Sequence, residues 1–278
     1  MMPLDDPLAV ASSNPGDPSF SLARHALAQF AGRNPATQAD IDAVMRALVT
    51  HTGWFVPTSF AARAWGQSSF DQELFFPGAA DPAVLSVFTD RESAMLADGQ
   101  ELGAYGGPVD GVRLMRSLDG ACTALMVNPA SPRQHQWYIA TAGFEIAAGW
   151  ASAVALEQAL ATRGAGPVPV AELLHHRYHL LLEQATQTLA QIRLPEIAGA
   201  VAVCFTATDR AEEFVASLPA RARPLAELAM VDGPRMFDLM REVGTAGLVI
   251  NAGSDDQTAL TADDLAEIMD AQGTPPRR

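Results

Sequence analysis

The chain contains no lysine: all 18 basic side chains are arginines, set against 32 Asp and Glu, for a formal net charge of −14. Without Lys there is no phosphate-cradling P-loop, no Schiff base and no pyridoxal phosphate attachment. A chain this acidic repels nucleic acid and anionic membrane, because neutralising phosphates needs clustered basic residues. Cysteine is almost absent too. Cys122 and Cys204 have no CxxC neighbour and lie in or beside apolar runs, where free Cys behaves as a small buried hydrophobe. Long apolar runs are also missing. The best candidate, WYIATAGFEIAAGWASAVALEQAL from Trp137, holds Glu145 and many small residues, and reads as a strand or loop leading into a buried helix. The opening MMPLDDPLAVASSNPGDP lacks the basic start and apolar centre of a secretory signal. No GxGxxG joins a strand to a helix, and no GxSxG occurs. These absences lead us to expect a soluble, cytoplasmic protein with no cofactor, no nucleic-acid partner and no membrane.

What is present is an α/β pattern. TQADIDAVMRALV from Thr37 predicts an amphipathic helix, with Ile41, Val44, Met45 and Leu48 on one face and a capping arrangement of Thr37 with Asp40. GWFVPTSF, AVLSVFTD and ACTALMVNPAS read as strands, and VDGVRLMRSL as a helix. GAGPVPV from Gly164 is the clearest linker. Beyond it, VAELLHHRYHLLLEQATQTLAQI predicts one long helix, GAVAVCFTATD a strand, RAEEFVASL and VDGPRMFDLMREV helices, TAGLVINAGS a strand, and LTADDLAEIM a helix capped by Thr261 and Asp264.

The two halves repeat their landmarks in order. Phe88-Thr89 answers Phe205-Thr206, and Val109-Asp110-Gly111 answers Val231-Asp232-Gly233. Leu114-Met115-Arg116 answers Leu239-Met240-Arg241, and Asn128 answers Asn251. The expected organisation is therefore two tandem related α/β (α+β) domains with mixed sheets flanked by helices. They span 19–163 and 170–272, joined by 164–169, with flexible tails at 1–18 and 273–278. Asn128 and Asn251 follow apolar strands, where Asn tolerates left-handed backbone angles and shapes a turn. The same position, a strand's C-terminal end, is where α/β proteins place ligands.

SVFTDRE, GVRLMRSL and TALMVNPAS, with VCFTATD and AGLVINAGS in the second half, resemble the SseB N-terminal domain family. That family carries a strand ending in Phe-Thr, then a helix, then a Gly-(Leu/Val)-x-(Val/Ile)-Asn-Pro-Gly signature. Here Ala252 replaces its Pro, while Gly247 fits. The resemblance implies two copies of a fold and a family label, drawn from an enhanced serine sensitivity trait and from type III secretion. It implies no reaction.

The remaining candidates for chemistry are few. His175 and His179 of HHRYH would share a helix face and form a candidate zinc pair, yet no third ligand is marked. Asp90, Arg91, Glu92, Asp209, Arg210, Glu212 and Glu213 read as helix N-terminal charges. Ser254-Asp255-Asp256 reads as a solvated turn. Trp54, Phe55, Phe60, Trp65, Phe70, Phe75 and Phe76 crowd residues 54–76, a composition suited to anchoring a partner. The expected function is therefore a non-enzymatic protein-binding or scaffolding module, with homodimerisation open. The alternative is a small-ligand binder or enzyme using Asn128, Asn251, Thr89 and Thr206. A weaker alternative is a secretion-system-associated protein.

Overall fold

The computed structural model describes residues 18–32, 36–57, 84–90, 93–94, 105–129, 131, 133–164, 166–183, 188–194, 197–220, 222–223 and 226–272. It is an α/β structure that divides into two compact units, Met1–Ala151 and Ser152–Arg278. The division falls within a helix rather than in the Gly-Pro segment at 164–169.

In the first unit, α1 (Pro18–Ala31) precedes α2 (Gln38–Thr50). The predicted cap is present: the Thr37 hydroxyl accepts from Asp40 N–H, and the Asp40 carboxylate accepts from Thr37 N–H at 2.9 Å. Strand β1 (Trp54–Pro57) pairs antiparallel with β3 (Tyr105–Val109). A backbone bridge from Phe55 to Phe88 leads on to β2 (Val84–Val87). Strand β2 runs parallel to β4 (Ala124–Val127), which pairs antiparallel with β5 (Trp137–Ala140). Helix α3 (Gly111–Arg116) follows β3, and α4 (Phe144–Arg163) follows β5.

The second unit repeats this order. Helix α5 (Val170–His175) leads into β6 (Arg177–Glu183), and the short strands β7 (Thr188–Leu189) and β8 (Gln191–Ile192) connect to β9 (Val201–Phe205). Next come α6 (Thr208–Ser217), β10 (Ala226–Asp232), α7 (Gly233–Val243), β11 (Leu248–Ile250), β12 (Thr258–Leu260) and α8 (Ala262–Gln272). The sheet runs β10-β6-β9-β11-β12, with β9 and β11 parallel. Both faces of this sheet are covered. Ala202, Cys204, Leu248, Ile250 and Leu260 join Met236, Phe237 and Ile268 in one core. Val201, Val203, Phe205 and Val249 join Ala211, Phe214 and Val215 in the other.

The long helix expected over VAELLHHRYHLLLEQ does not exist. It stops at His175, and Arg177–Glu183 is a strand in full register with β10. Burial alternates from Arg177 to Leu180, the period-two signature of a strand, and the Leu run that follows borders both cores. The strands at β3, β10 and β12 were not expected either. Each is short or interrupted by Gly and Pro, or ends where a helix begins at once.

Two glycines hold matching joints. A Cβ on Gly111 would stand 2.4 Å from the Val49 carbonyl and 2.7 Å from those of Leu48 and His51. One on Gly233 would stand 2.5 Å from the Leu173 carbonyl and 2.6 Å from that of Leu174. In both units the helix that starts at this glycine lies against the C-terminal carbonyls of the helix before the unit's first strand, α2 or α5. In both, too, the glycine N–H donates 2.8 Å to a histidine carbonyl, His51 or His176.

Candidate functional site

The repeated landmarks converge on one polar arrangement in each unit, at the C-terminal ends of the two parallel strands. In the first unit, Asn128 follows β4 with φ 50°, and its own N–H donates to Val87 O at 2.9 Å. Its side-chain oxygen accepts from Thr89 N–H at 3.0 Å, which fixes the orientation of the amide. Its Nδ2 then donates to Thr89 Oγ1 at 3.0 Å and to His135 O at 3.3 Å. The Thr89 hydroxyl lies 3.0 Å from Asp90 Oδ2, and its single proton goes to that carboxylate. Asp90 also accepts from Ser93 N–H at 2.7 Å and Ser93 Oγ at 2.8 Å.

The second unit is built the same way. Asn251 has φ 55°, and its N–H donates to Cys204 O at 2.9 Å. Its Oδ1 accepts from Thr206 N–H at 2.9 Å. Here, however, Nδ2 donates to two carboxylates, Glu157 Oε1 at 3.3 Å and Asp256 Oδ2 at 3.2 Å. The Thr206 hydroxyl donates to the same Glu157 oxygen. Ser254 Oγ and Arg210 also donate to Asp256, the latter at 3.1 Å. Asn128 and Asn251 are the two non-glycine residues with positive φ among the described residues. The left-handed turn releases each amide sideways onto the neighbouring strand end, a geometry that Asn adopts with less strain than other side chains.

Sequence reasoning missed the histidine in each arrangement. His51 and His176 cap α2 and α5, are 1% and 2% exposed, and sit 2.8 Å from the carbonyls of Thr89 and Thr206 through Nε2. A carbonyl only accepts, so Nε2 carries the proton. His176 Nδ1 also meets Ser152 Oγ at 3.0 Å. An aromatic residue stacks edge-on against each ring: Trp54 on His51 at 5.1 Å and Tyr178 on His176 at 4.7 Å. The aromatic then reaches the same carbonyl in both, three residues before the histidine. Trp54 Nε1 donates to Leu48 O at 3.1 Å, and the Tyr178 hydroxyl donates to Leu173 O at 2.9 Å. The available signal was the pair Leu-x-x-His, Leu48 to His51 and Leu173 to His176, which the landmark comparison did not reach.

This geometry ties together helix end, strand end and Asn turn. Both Nδ2 protons of each Asn and the proton of each Thr hydroxyl have acceptors within the protein. Asn128, Asn251, Thr89 and Thr206 are all 3% exposed or less. Losing any one of these bonds leaves a buried group unsatisfied, at about 1–3 kcal/mol. Cys204 is the nearest thiol in sequence, and burial pushes its pKa well above the ordinary range, so it stays protonated.

Two expected sites need correction. Trp54 is fully buried in the first unit's core and offers no surface to a partner. Trp65, Phe70, Phe75 and Phe76 lie outside the described residues. His175 and His179 do not share a helix face, because the first ends α5 and the second lies within β6. His175 Nδ1 lies 2.7 Å from Ala171 O, and His179 Nε2 lies 3.3 Å from Thr208 Oγ1. Burial lowers the His179 pKa, and the charge of Asp209 opposes part of that shift. Among the described residues no group of three His, Cys, Asp or Glu is placed to hold a metal ion, and no helix is long and apolar enough to cross a membrane.

No family model matches the chain, and no curated protein matches it. One solved structure similar to it is Anabaena Tic22, described as protein transport, at 9% identity and a TM-score of 0.23. The match covers 84% of this chain and 97% of that one, a likeness too slight to assign a fold.

Proposed function

We propose that the protein is a non-enzymatic protein-binding or scaffolding module of the SseB-like kind, and that β10 receives an extended, basic segment of its partner. The observation that carries this reading is the edge of the second sheet. Strand β10 pairs with β6 over all seven of its residues, and among the described residues no strand pairs its outer side. An unpaired edge of that length is a template for strand addition. Its Met230 is 57% exposed, an apolar anchor in the middle of the strand. Glu227 and Asp232 are exposed on the same strand, and the exposed Glu183 lies in register with Ala226. Together with a net charge of −14 they favour Arg- or Lys-bearing partners. The internal saturation of the strand-end Asn and Thr side chains supports binding over catalysis. We take the compartment to be the cytoplasm, since both cysteines are free thiols, the state a reducing compartment maintains.

Selection of a random peptide library against the full chain tests this. Selected peptides are expected to carry Arg or Lys, to bind more weakly as salt rises, and to slow amide exchange across residues 226–232. Met230→Lys places a charge on the edge and should abolish their binding without unfolding the protein. Peptides that bind the variant equally and leave those amides unchanged would refute the reading. Sedimentation of the free chain separates a second copy on the same edge from a foreign partner.

A further inference from the structure

The strand pairings of the two sheets match in register, yet one face differs. Leu85 pairs with Leu125 and Leu125 with Ile139, as Ala202 pairs with Leu248 and Leu248 with Leu260, and those residues are buried in both units. The opposite face of the second sheet is also closed, with Val201, Val203 and Val249 all at 0% exposure. Their counterparts in the first sheet are Val84, Ser86 and Met126. Val84 is 50% exposed, and Ser86 and Met126 are half-buried. Tyr138, which extends this face onto β5, is 58% exposed; its counterpart Ala259 is exposed too, so the difference between the units lies at Val84, Ser86 and Met126.

The second unit also shows what closes such a face. The connection between β6 and β9, residues 184–200, pairs β8 with β9 and packs Ala190, Ile192, Leu194 and Ile197 against Val201, Val203, Phe205 and Val249. The same connection in the first unit joins β1 to β2 and comprises residues 58–83. It leaves from Pro57 at the end of β1 and returns at Val84, itself one of the exposed residues of the open face. It is the longer of the two and carries Phe60, Trp65, Phe70, Phe75 and Phe76, where 184–200 carries no aromatic residue.

We infer that the Val84–Ser86–Met126–Tyr138 face is an intramolecular docking surface whose occupant is the chain's own segment 58–83. The aromatic residues of that segment then serve this face, and partner binding is left to other surfaces. The inference goes beyond the proposed function and does not depend on it.

Methionine oxidation in the full chain reads the occupancy directly. Met126 lies on the face, Met230 is an exposed reference at 57%, and Met236 and Met240 are buried references at 0% and 1%. In the wild type, peroxide should oxidise Met126 far more slowly than Met230. In a chain with Trp65, Phe70, Phe75 and Phe76 all replaced by Ser, Met126 should oxidise several-fold faster while Met236 and Met240 stay protected. Met126 that already oxidises like Met230, or that does not respond in a variant whose buried methionines remain protected, would overturn the inference. A benzophenone side chain at position 138 of the otherwise unchanged chain gives a second readout that does not depend on the variant folding. Its intrachain cross-links should fall within peptides 58–83, and cross-links solely to other segments or to a second copy would overturn it.

Discussion

Replacing Asn251 by Asp is the smallest change that separates the two strand-end arrangements. The side chain keeps its shape, and one oxygen still accepts from Thr206 N–H. The other oxygen stands where Nδ2 was, 3.3 Å from Glu157 Oε1 and 3.2 Å from Asp256 Oδ2. Like charges at that separation repel by about 5 kcal/mol per pair at an effective dielectric of about 20. Protonation is the lower-energy course. Neutralising a carboxyl of ordinary pKa near 3.9 costs about 4 kcal/mol at pH 7 and about 1.5 kcal/mol at pH 5. The loss of stability is therefore capped near 4 kcal/mol at neutral pH, and the new hydroxyl donates back to one carboxylate. The introduced Asp has a folded pKa raised above its unfolded value, so stability is lost as pH rises.

Asn128→Asp supplies the control. Its Nδ2 faces Thr89 Oγ1 and His135 O, neither of them charged. If the Thr89 hydroxyl turns toward the new carboxylate it gives up Asp90, and His135 O loses its donor, so two hydrogen bonds are lost, about 2–3 kcal/mol, with a shallower pH dependence. Urea unfolding followed by far-UV circular dichroism at pH 5 and pH 7 measures both variants. All four tryptophans lie in the first unit, so their fluorescence tracks that unit. An Asn251→Asp loss that is the same at both pH values, or an Asn128→Asp loss equally steep in pH, would refute the two-carboxylate account.

The other predictions concern packing and titration. Gly111→Ala and Gly233→Ala each drive a methyl group into backbone carbonyls at 2.4 and 2.5 Å and should destabilise by about 3 kcal/mol in thermal unfolding. Gly149→Ala fills open space on the exposed side of α4 and should instead stabilise by about 1 kcal/mol. Burial lowers the His179 pKa, so its contribution is complete above the unfolded value of about 6.5 and is lost as pH falls. His179→Asn should flatten that part of a stability–pH curve, and a curve unchanged between the two proteins would count against it. Burial raises both thiol pKa values, that of buried Cys204 the more. Ellman's reagent should therefore label Cys204 only after denaturation, and native labelling as fast as that of Cys122 would contradict its placement.

Much of the framework was legible because it rests on residues with few substitutes. Asn at a left-handed turn, Gly under a carbonyl and Asp capping α3 and α7 are local demands, and they recur in order in both halves. The caps at Thr37 and Thr261 were legible for the same reason. What stayed hidden depends on partners far away in sequence. HHRYHLLLE satisfies helical spacing, and only pairing with β10 more than forty residues later makes it a strand. Trp54 reads as an anchor within an aromatic run, and only Leu48 and His51 reveal it as core. The histidines carry only the slight mark of a shared Leu-x-x-His, since their task is to reach a carbonyl thirty or more residues away.

The comparison between units also bears on where function resides. What both share is accounted for by the fold: the histidine bond, the Asn turn, the Gly joint and the aromatic on the helix-end carbonyl. None of these residues is exposed, and each has its hydrogen bonds met internally or has no side chain to offer. What differs is the acceptor set, neutral groups around Asn128 and two carboxylates with Arg210 around Asn251, and the connection between the first two aligned strands. A repeated fold needs its common features to stand, so they carry no information about a partner. The exposed Met230 edge and the open Val84–Tyr138 face have no such structural duty among the described residues. Exposed apolar side chains that the fold does not require are the ones left for contact: the Met230 edge for the proposed strand addition, and the Val84–Tyr138 face for the chain's own segment 58–83.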